Sequence, residues 1–214
     1  MQDHPIPEVT EPLQYRAIGL VRGIYIPKDS EQITRGCLRD LEGNEIDSVV
    51  LGRVLTLMRR HLDMQKPHFW VVYPRCRDLD FLHLQINGIW EPSTLEKSVD
   101  KNIELNNNNP NTYLDSIPEG DNYFSIRGEL IYTNPESKEL VVKIRQKRRL
   151  NGKKNYPFKL YLHGAIPLEN LRHFVSLDVR RTGQQLHLER YTVVGPIASR
   201  AGKRNNRNQK RASI

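Results

Sequence analysis

The chain has 214 residues, of which 37% are hydrophobic, enough for one large domain or two small ones but with part of the sequence outside any core. No apolar run approaches the ~20 residues a membrane helix needs, so a helical membrane-spanning protein is excluded. The net charge of +8 divides unevenly: residues 1–121 hold 13 Lys+Arg and 19 Asp+Glu, whereas residues 122–214 hold 20 and 6. Balances of −6 and +14 point the second half toward polyanions, of which nucleic acid is the commonest large one in a cell.

From the start, Met1 to Pro12 carries Asp3, Glu8 and Glu11 and no apolar block, so no signal peptide is expected and this stretch reads as a flexible N-terminus. With only Cys37 and Cys76 present, a disulfide scaffold is excluded and a reducing cytoplasm is the expected compartment. A first domain is expected over 13–92. Tyr15 to Ile26 forms a strand block, and Ile33–Leu41 and Glu45–Val50 flank a turn at Glu42-Gly43-Asn44. Leu51, Val54, Leu55, Met58 and Leu62 recur at helical spacing and predict an amphipathic helix. Two further strands follow, around Pro67–Tyr73 and from Leu82 to Trp90. Polar, turn-prone Asn106-Asn107-Asn108-Asn109-Pro110-Asn111 marks a linker over 93–121.

The second domain, 122–198, repeats the pattern. Tyr123–Thr133 is a strand closed by Asn134-Pro135-Glu136-Ser137. Leu140, Val142 and Ile144 alternate with Val141, Lys143, Arg145 and Lys147, and Phe158, Leu160 and Leu162 alternate with Lys159, Tyr161 and His163. A short helical stretch at Pro167–Arg172 precedes strands at Val175–Val179 and Leu186–Val194. Leu82-His83-Leu84 and Leu186-His187-Leu188 each stand eight residues before a proline, Pro92 and Pro196. Such parallel endings suggest an internal repeat. Residues 199–214 contain six basic groups and no acid and read as a disordered tail. The fold expected is mainly β, with two tandem five-stranded barrels of the oligonucleotide/oligosaccharide-binding (OB) type, the first carrying an added helix.

Phe124-Ser-Ile-Arg-Gly-Glu-Leu-Ile and the run from Phe174 to Glu189 resemble OB-fold nucleic-acid-binding proteins. Gly19-Leu-Val-Arg-Gly with Trp70-Val-Val-Tyr-Pro-Arg75 also resembles uncharacterised conserved proteins of cyanobacteria.

An OB barrel binds ligands on its second and third strands. In the second domain that surface would present Lys143, Arg145, Lys147, Lys159 and Tyr161, with Arg148, Arg149, Lys153 and Lys154 at the adjoining hairpin tip. Arg180 and Arg181 precede the last turn, and Lys203, Arg204, Arg207, Lys210 and Arg211 lie in the tail. Cations would follow phosphates while Tyr161, with Tyr156 nearby, stacks on a base. The ordinary alternative is that charged strand faces keep a sheet soluble. Single strands fit better than duplex, and the Arg/Asn-rich tail favours RNA over DNA.

Metal and catalytic signatures are lacking. The seven histidines, His4, His61, His68, His83, His163, His173 and His187, show no ligand-type spacing, and no nucleophile elbow or phosphate-cradling glycine loop occurs. Asp78 and Asp80 fit a hairpin tip held by Arg75 and Arg77 better than a carboxylate pair. No enzyme, metal or cofactor is expected. The acidic first domain is a candidate for docking a protein partner or the other domain, with Trp70 and Trp90 as candidate anchors, but the favoured reading is that both Trp residues fill the barrel or its rim. An adaptor whose basic half meets an acidic protein is the competing reading.

Overall fold

A computed structural model describes residues 4–29, 31–91, 117–146 and 155–197. Ten strands follow in chain order. The first five are β1 (Arg16–Pro27), β2 (Arg35–Asp40), β3 (Glu45–Val50), β4 (His68–Cys76) and β5 (Leu82–Trp90), with helix α1 (Gly52–His61) between β3 and β4. The second five are β6 (Tyr123–Asn134), β7 (Glu139–Ile144), β8 (Phe158–His163), β9 (His173–Thr182) and β10 (Gln185–Pro196). A 3-10 turn, Leu168–Asn170, takes the helix position of the second unit.

Each set of five closes on itself. The first runs β2-β3-β5-β4-β1 and returns through a β1–β2 pairing; the second runs β6-β7-β8-β10-β9 and returns through β6–β9. In both, the third and fifth strands pair in parallel, Asp47 opposite His83 and His163 opposite His187. The parallel contact spans four residue pairs in the first barrel and one in the second, so the second is closed at a single point along β8. Two tandem OB barrels are thus present, as the alternation predicts. They are joined by an antiparallel β1–β6 pairing from Arg16↔Arg127 to Gly19↔Phe124, so one ten-stranded sheet runs through both.

The alternating apolar residues fill the barrels. Trp70 is fully buried in the first, its Nε1 donating to the Gly23 carbonyl at 2.8 Å, so it is a core residue and no partner anchor. Trp90 is half-buried and packs on a smaller apolar cluster. Helix α1 turns Val54 and Met58, one helical turn apart, into the core. Phe124, Ile126, Leu130, Leu140, Val142, Leu160 and Leu162 fill the second barrel.

The N-terminal stretch departs from expectation. Residues 4–6 pack against the sheet: Ile6 is buried beside Ile18, Leu20, Val71, Ile117 and Tyr123, and the His4 ring meets the Glu119 carboxylate at 2.9 Å. Arg16 donates to the Pro7 carbonyl at 2.7 Å and Arg127 to that of Pro12 at 2.6 Å. The reason is a demand for acceptors: half-buried Arg16 and buried Arg127 on the seam need partners for their guanidinium donors and take them from backbone carbonyls of this stretch. The end of the expected linker belongs to the fold too, since Asp121 Oδ1 accepts from the Arg22 amide at 2.7 Å.

Candidate nucleic-acid interface

Alternation sorts β7 and β8 into two faces. Leu140, Val142, Ile144, Leu160 and Leu162 are buried inside, while Arg145 and Lys159 are exposed and Lys143 and Tyr161 partly so. Register aligns Lys143 with Lys159 and Val141 with Tyr161 across the two strands. Glu129, opposite Lys143 on β6, serves two cations at once, Lys143 Nζ at 3.1 Å and Arg145 Nη2 at 3.2 Å. Lys159 has no ion-pair partner among the described residues. Glu139 stands on the same outward side of β7, opposite His163, so two carboxylates lie among three cations and the face keeps an excess of one positive charge.

Tyr161 stands at the other end of the face. It lines a cleft of about 220 Å³ with Tyr132, Val141, Asp78 and Leu79. Asp78 and Leu79 belong to the β4–β5 connection of the first barrel, which approaches the second barrel here. Cys76 Sγ lies 3.9 Å from the Tyr161 carbonyl, and burial pushes its thiol up to about 11. Asp78 and Asp80 form no catalytic pair: Asp78 Oδ1 accepts from the Asp80 amide at 3.1 Å, and Asp80 Oδ1 from Gln185 Nε2 at 2.7 Å. Both cysteines are free.

The two arginines before the last turn are occupied within the protein. Arg180 contacts Glu189 through Nε at 2.9 Å and Nη2 at 3.2 Å, and donates from Nη1 to the carbonyls of Glu119 and Asp121. Arg181 corrects the expectation of an outward cation, because its side chain is only 1% exposed. It pairs with Asp40 at 2.6 Å and also donates to Asn122 Oδ1 and the Gly183 carbonyl. Burial tends to raise the Asp40 pKa, but hydrogen bonds from Asn44 and Arg181 outweigh it and hold the carboxyl below its usual range. Alternation marks which side of a strand Arg181 takes; it does not reveal that the other barrel covers that side. Lys147, Arg148, Arg149, Lys153, Lys154, Lys203, Arg204, Arg207, Lys210 and Arg211 lie outside the described residues. Tyr156 is 81% exposed.

Sequence reasoning overlooks a second feature, a cleft of about 530 Å³ between the barrels where β1 and β4 meet the open ends of β7 and β8. Tyr15, Arg16, Tyr73, Arg75, Arg145 and Phe158 are among its lining residues. The Arg75 guanidinium lies 3.8 Å from the centre of the Phe158 ring, and Arg145 lies 5.7 Å from that of Tyr15. Burial lowers the Arg75 pKa and raises that of Tyr15, against the nearby Arg145 charge. Arg16 is lowered by burial and then by the Arg127 charge. Tyr73 and Arg75 belong to the Trp70–Arg75 run and Arg145 to the expected binding surface; that they meet Tyr15, Arg16 and Phe158 follows only from the way the fold brings strand ends together.

Two closed barrels in this strand order, with an open cationic sheet face, define a tandem OB-fold protein. Residues 17–97 match the family model of the PatR RNA-binding protein, N-terminal OB-fold domain. Residues 126–195 match that of the cyanobacterial OB-fold-like RNA-binding domain, C-terminal. Each barrel thus matches an OB-fold RNA-binding domain family. No curated protein and no solved structure is significantly similar to it.

Proposed function

We propose that this chain binds single-stranded RNA without catalysing a reaction, along the outward face of β7 and β8. The observation that carries this is the meeting of Lys143, Arg145 and Lys159 on one open face, in a barrel that matches an RNA-binding family. Lys and Arg there neutralise phosphates, and an OB groove follows an unpaired backbone. The cations of residues 147–154 and of the tail add sequence-independent attraction through their charge, and Tyr161 supplies a stacking ring at the edge of the face. Arg180 and Arg181 serve the fold in this reading.

The test is fluorescence-anisotropy titration of a labelled unpaired RNA with the wild type and with the triple reversal Arg145→Glu, Lys147→Glu and Lys159→Glu. Loss of binding in a variant that still unfolds cooperatively supports the assignment. Unchanged affinity overturns it. An acidic protein retained during purification, with no RNA bound, would favour the adaptor reading instead.

A further inference from the structure

The cleft between the barrels joins the cationic face without a break, because Arg145 belongs to both. Its chemistry is of two kinds. Tyr15, Tyr73 and Phe158 are three partly exposed rings, of which Phe158 carries the Arg75 guanidinium on one face. Arg16, Arg75 and Arg145 line it with one carboxylate, Glu11, although Arg16 is bonded to the Pro7 carbonyl and Ser125 Oγ and Arg145 is shared with Glu129. Arg75 has no ion-pair partner among the described residues. Flat apolar walls beside surplus guanidinium charge call for an occupant that is flat and negative. An unpaired nucleotide is both, and the cleft falls within the ~300–1,000 Å³ of small-ligand sites.

We propose that this cleft is a nucleotide subsite, in which a base of the RNA stacks on its aromatic wall while an adjoining phosphate meets Arg75 and Arg145. The subsite rests on the RNA-binding reading above and adds to it. The Arg75–Phe158 stack orients the guanidinium, which covers one ring while its Nη1 donates to the Pro74 carbonyl at 2.8 Å. The β1–β6 seam holds Tyr15 of the first barrel against Phe174 of the second, the ring centroids 5.0 Å apart in an edge-on contact. The subsite therefore exists only when both barrels are docked.

Two measurements test this with the full chain. An oligouridine of about ten nucleotides, within the ~4–16 nucleotides an OB fold covers, carries one 4-thiouridine and is photo-crosslinked to the wild type. Adducts at Tyr15, Tyr73 or Phe158 are expected; adducts confined to other residues overturn the proposal. In anisotropy titrations, Tyr73→Leu is expected to weaken binding about tenfold, the loss of one base–aromatic stack, with an unchanged salt slope, while Tyr73→Phe binds as the wild type. Wild-type affinity in both Tyr73→Leu and Arg75→Lys overturns the subsite and leaves the β7–β8 face standing. If the wild type binds no RNA, the function itself fails. If Tyr73→Leu does not fold, the crosslinks decide.

Discussion

Arg181 of the second barrel reaches Asp40 of the first across 2.6 Å, with each side chain only 1% exposed. Asp40 also accepts from the backbone amides of Glu42 and Asn44 at 3.0 and 2.8 Å, so one carboxylate shapes the β2–β3 turn and anchors the neighbouring barrel. Gln184 Nε2 donates to the Glu45 carbonyl at 2.6 Å beside it. Removing one member of a buried pair leaves the other charge uncompensated, at a cost of about 3–5 kcal/mol. Arg181→Met should lower stability by about that much, and Asp40→Leu by more because two turn amides also lose their acceptor. The double variant should recover part of the loss. Urea unfolding midpoints check this, and additive losses would show that the pair is not coupled.

Two carboxylate contacts should give stability opposite pH dependences. Asp40 is held below its usual range in the folded protein, so its contribution is present above the unfolded carboxylate value near ~4 and lost as pH falls through the folded one. His68 is raised, chiefly by its hydrogen bond to Glu91 and against its burial. Its contribution is full below the unfolded value of ~6.5 and fades as pH rises through the folded one. Melting temperatures measured from pH 5.5 to 8.5 should fall toward the alkaline end in the wild type more than in His68→Gln. Parallel curves would remove His68 from the explanation.

The repeat lies deeper than the sequence discloses. Arg22 stands over the Phe69 ring at 5.5 Å and Arg127 over Phe174 at 5.7 Å. Each arginine precedes a glycine on the first strand of its barrel, and each Phe follows the histidine that opens the fourth. His83 and His187 likewise occupy matching parallel pairs. Strand order and inward faces are legible because period-2 alternation records burial directly. The meeting of the barrels is not, because alternation says which residues leave a barrel's interior and nothing about what covers them next. Arg181, Tyr15 and Arg75 are therefore invisible as interface residues until β1 pairs with β6.

That pairing depends on a residue without a side chain. A Cβ at Gly19 would come 2.1 Å from the Phe124 ring, at the last register pair of the β1–β6 seam. Phe124 is fully buried in the core and has little room to yield. Gly19→Ala should therefore destabilise the protein by about 1–3 kcal/mol through overpacking. If the seam opens, the subsite between the barrels should be lost as well, while the β7–β8 face persists. Thermal unfolding paired with RNA titration separates the two effects. An alanine variant as stable as the wild type would show that the seam adjusts freely.

Charges that serve binding should differ from charges that serve folding in their response to salt. Arg180 and Arg181 are engaged by Glu189 and Asp40, whereas residues 199–214 bring six Lys+Arg and no acid. For single strands, each neutralised phosphate contributes about 0.7 to the slope of log affinity against log salt. If all six tail cations meet phosphates, deleting residues 199–214 should flatten the slope by at most about 4 and leave the melting temperature unchanged. Affinity at low salt should fall less than in the triple reversal of Arg145, Lys147 and Lys159, because deletion only removes attraction whereas reversal also adds repulsion of phosphates. Titrations over a series of salt concentrations decide: an unaltered slope would mean that the tail does not touch the nucleic acid.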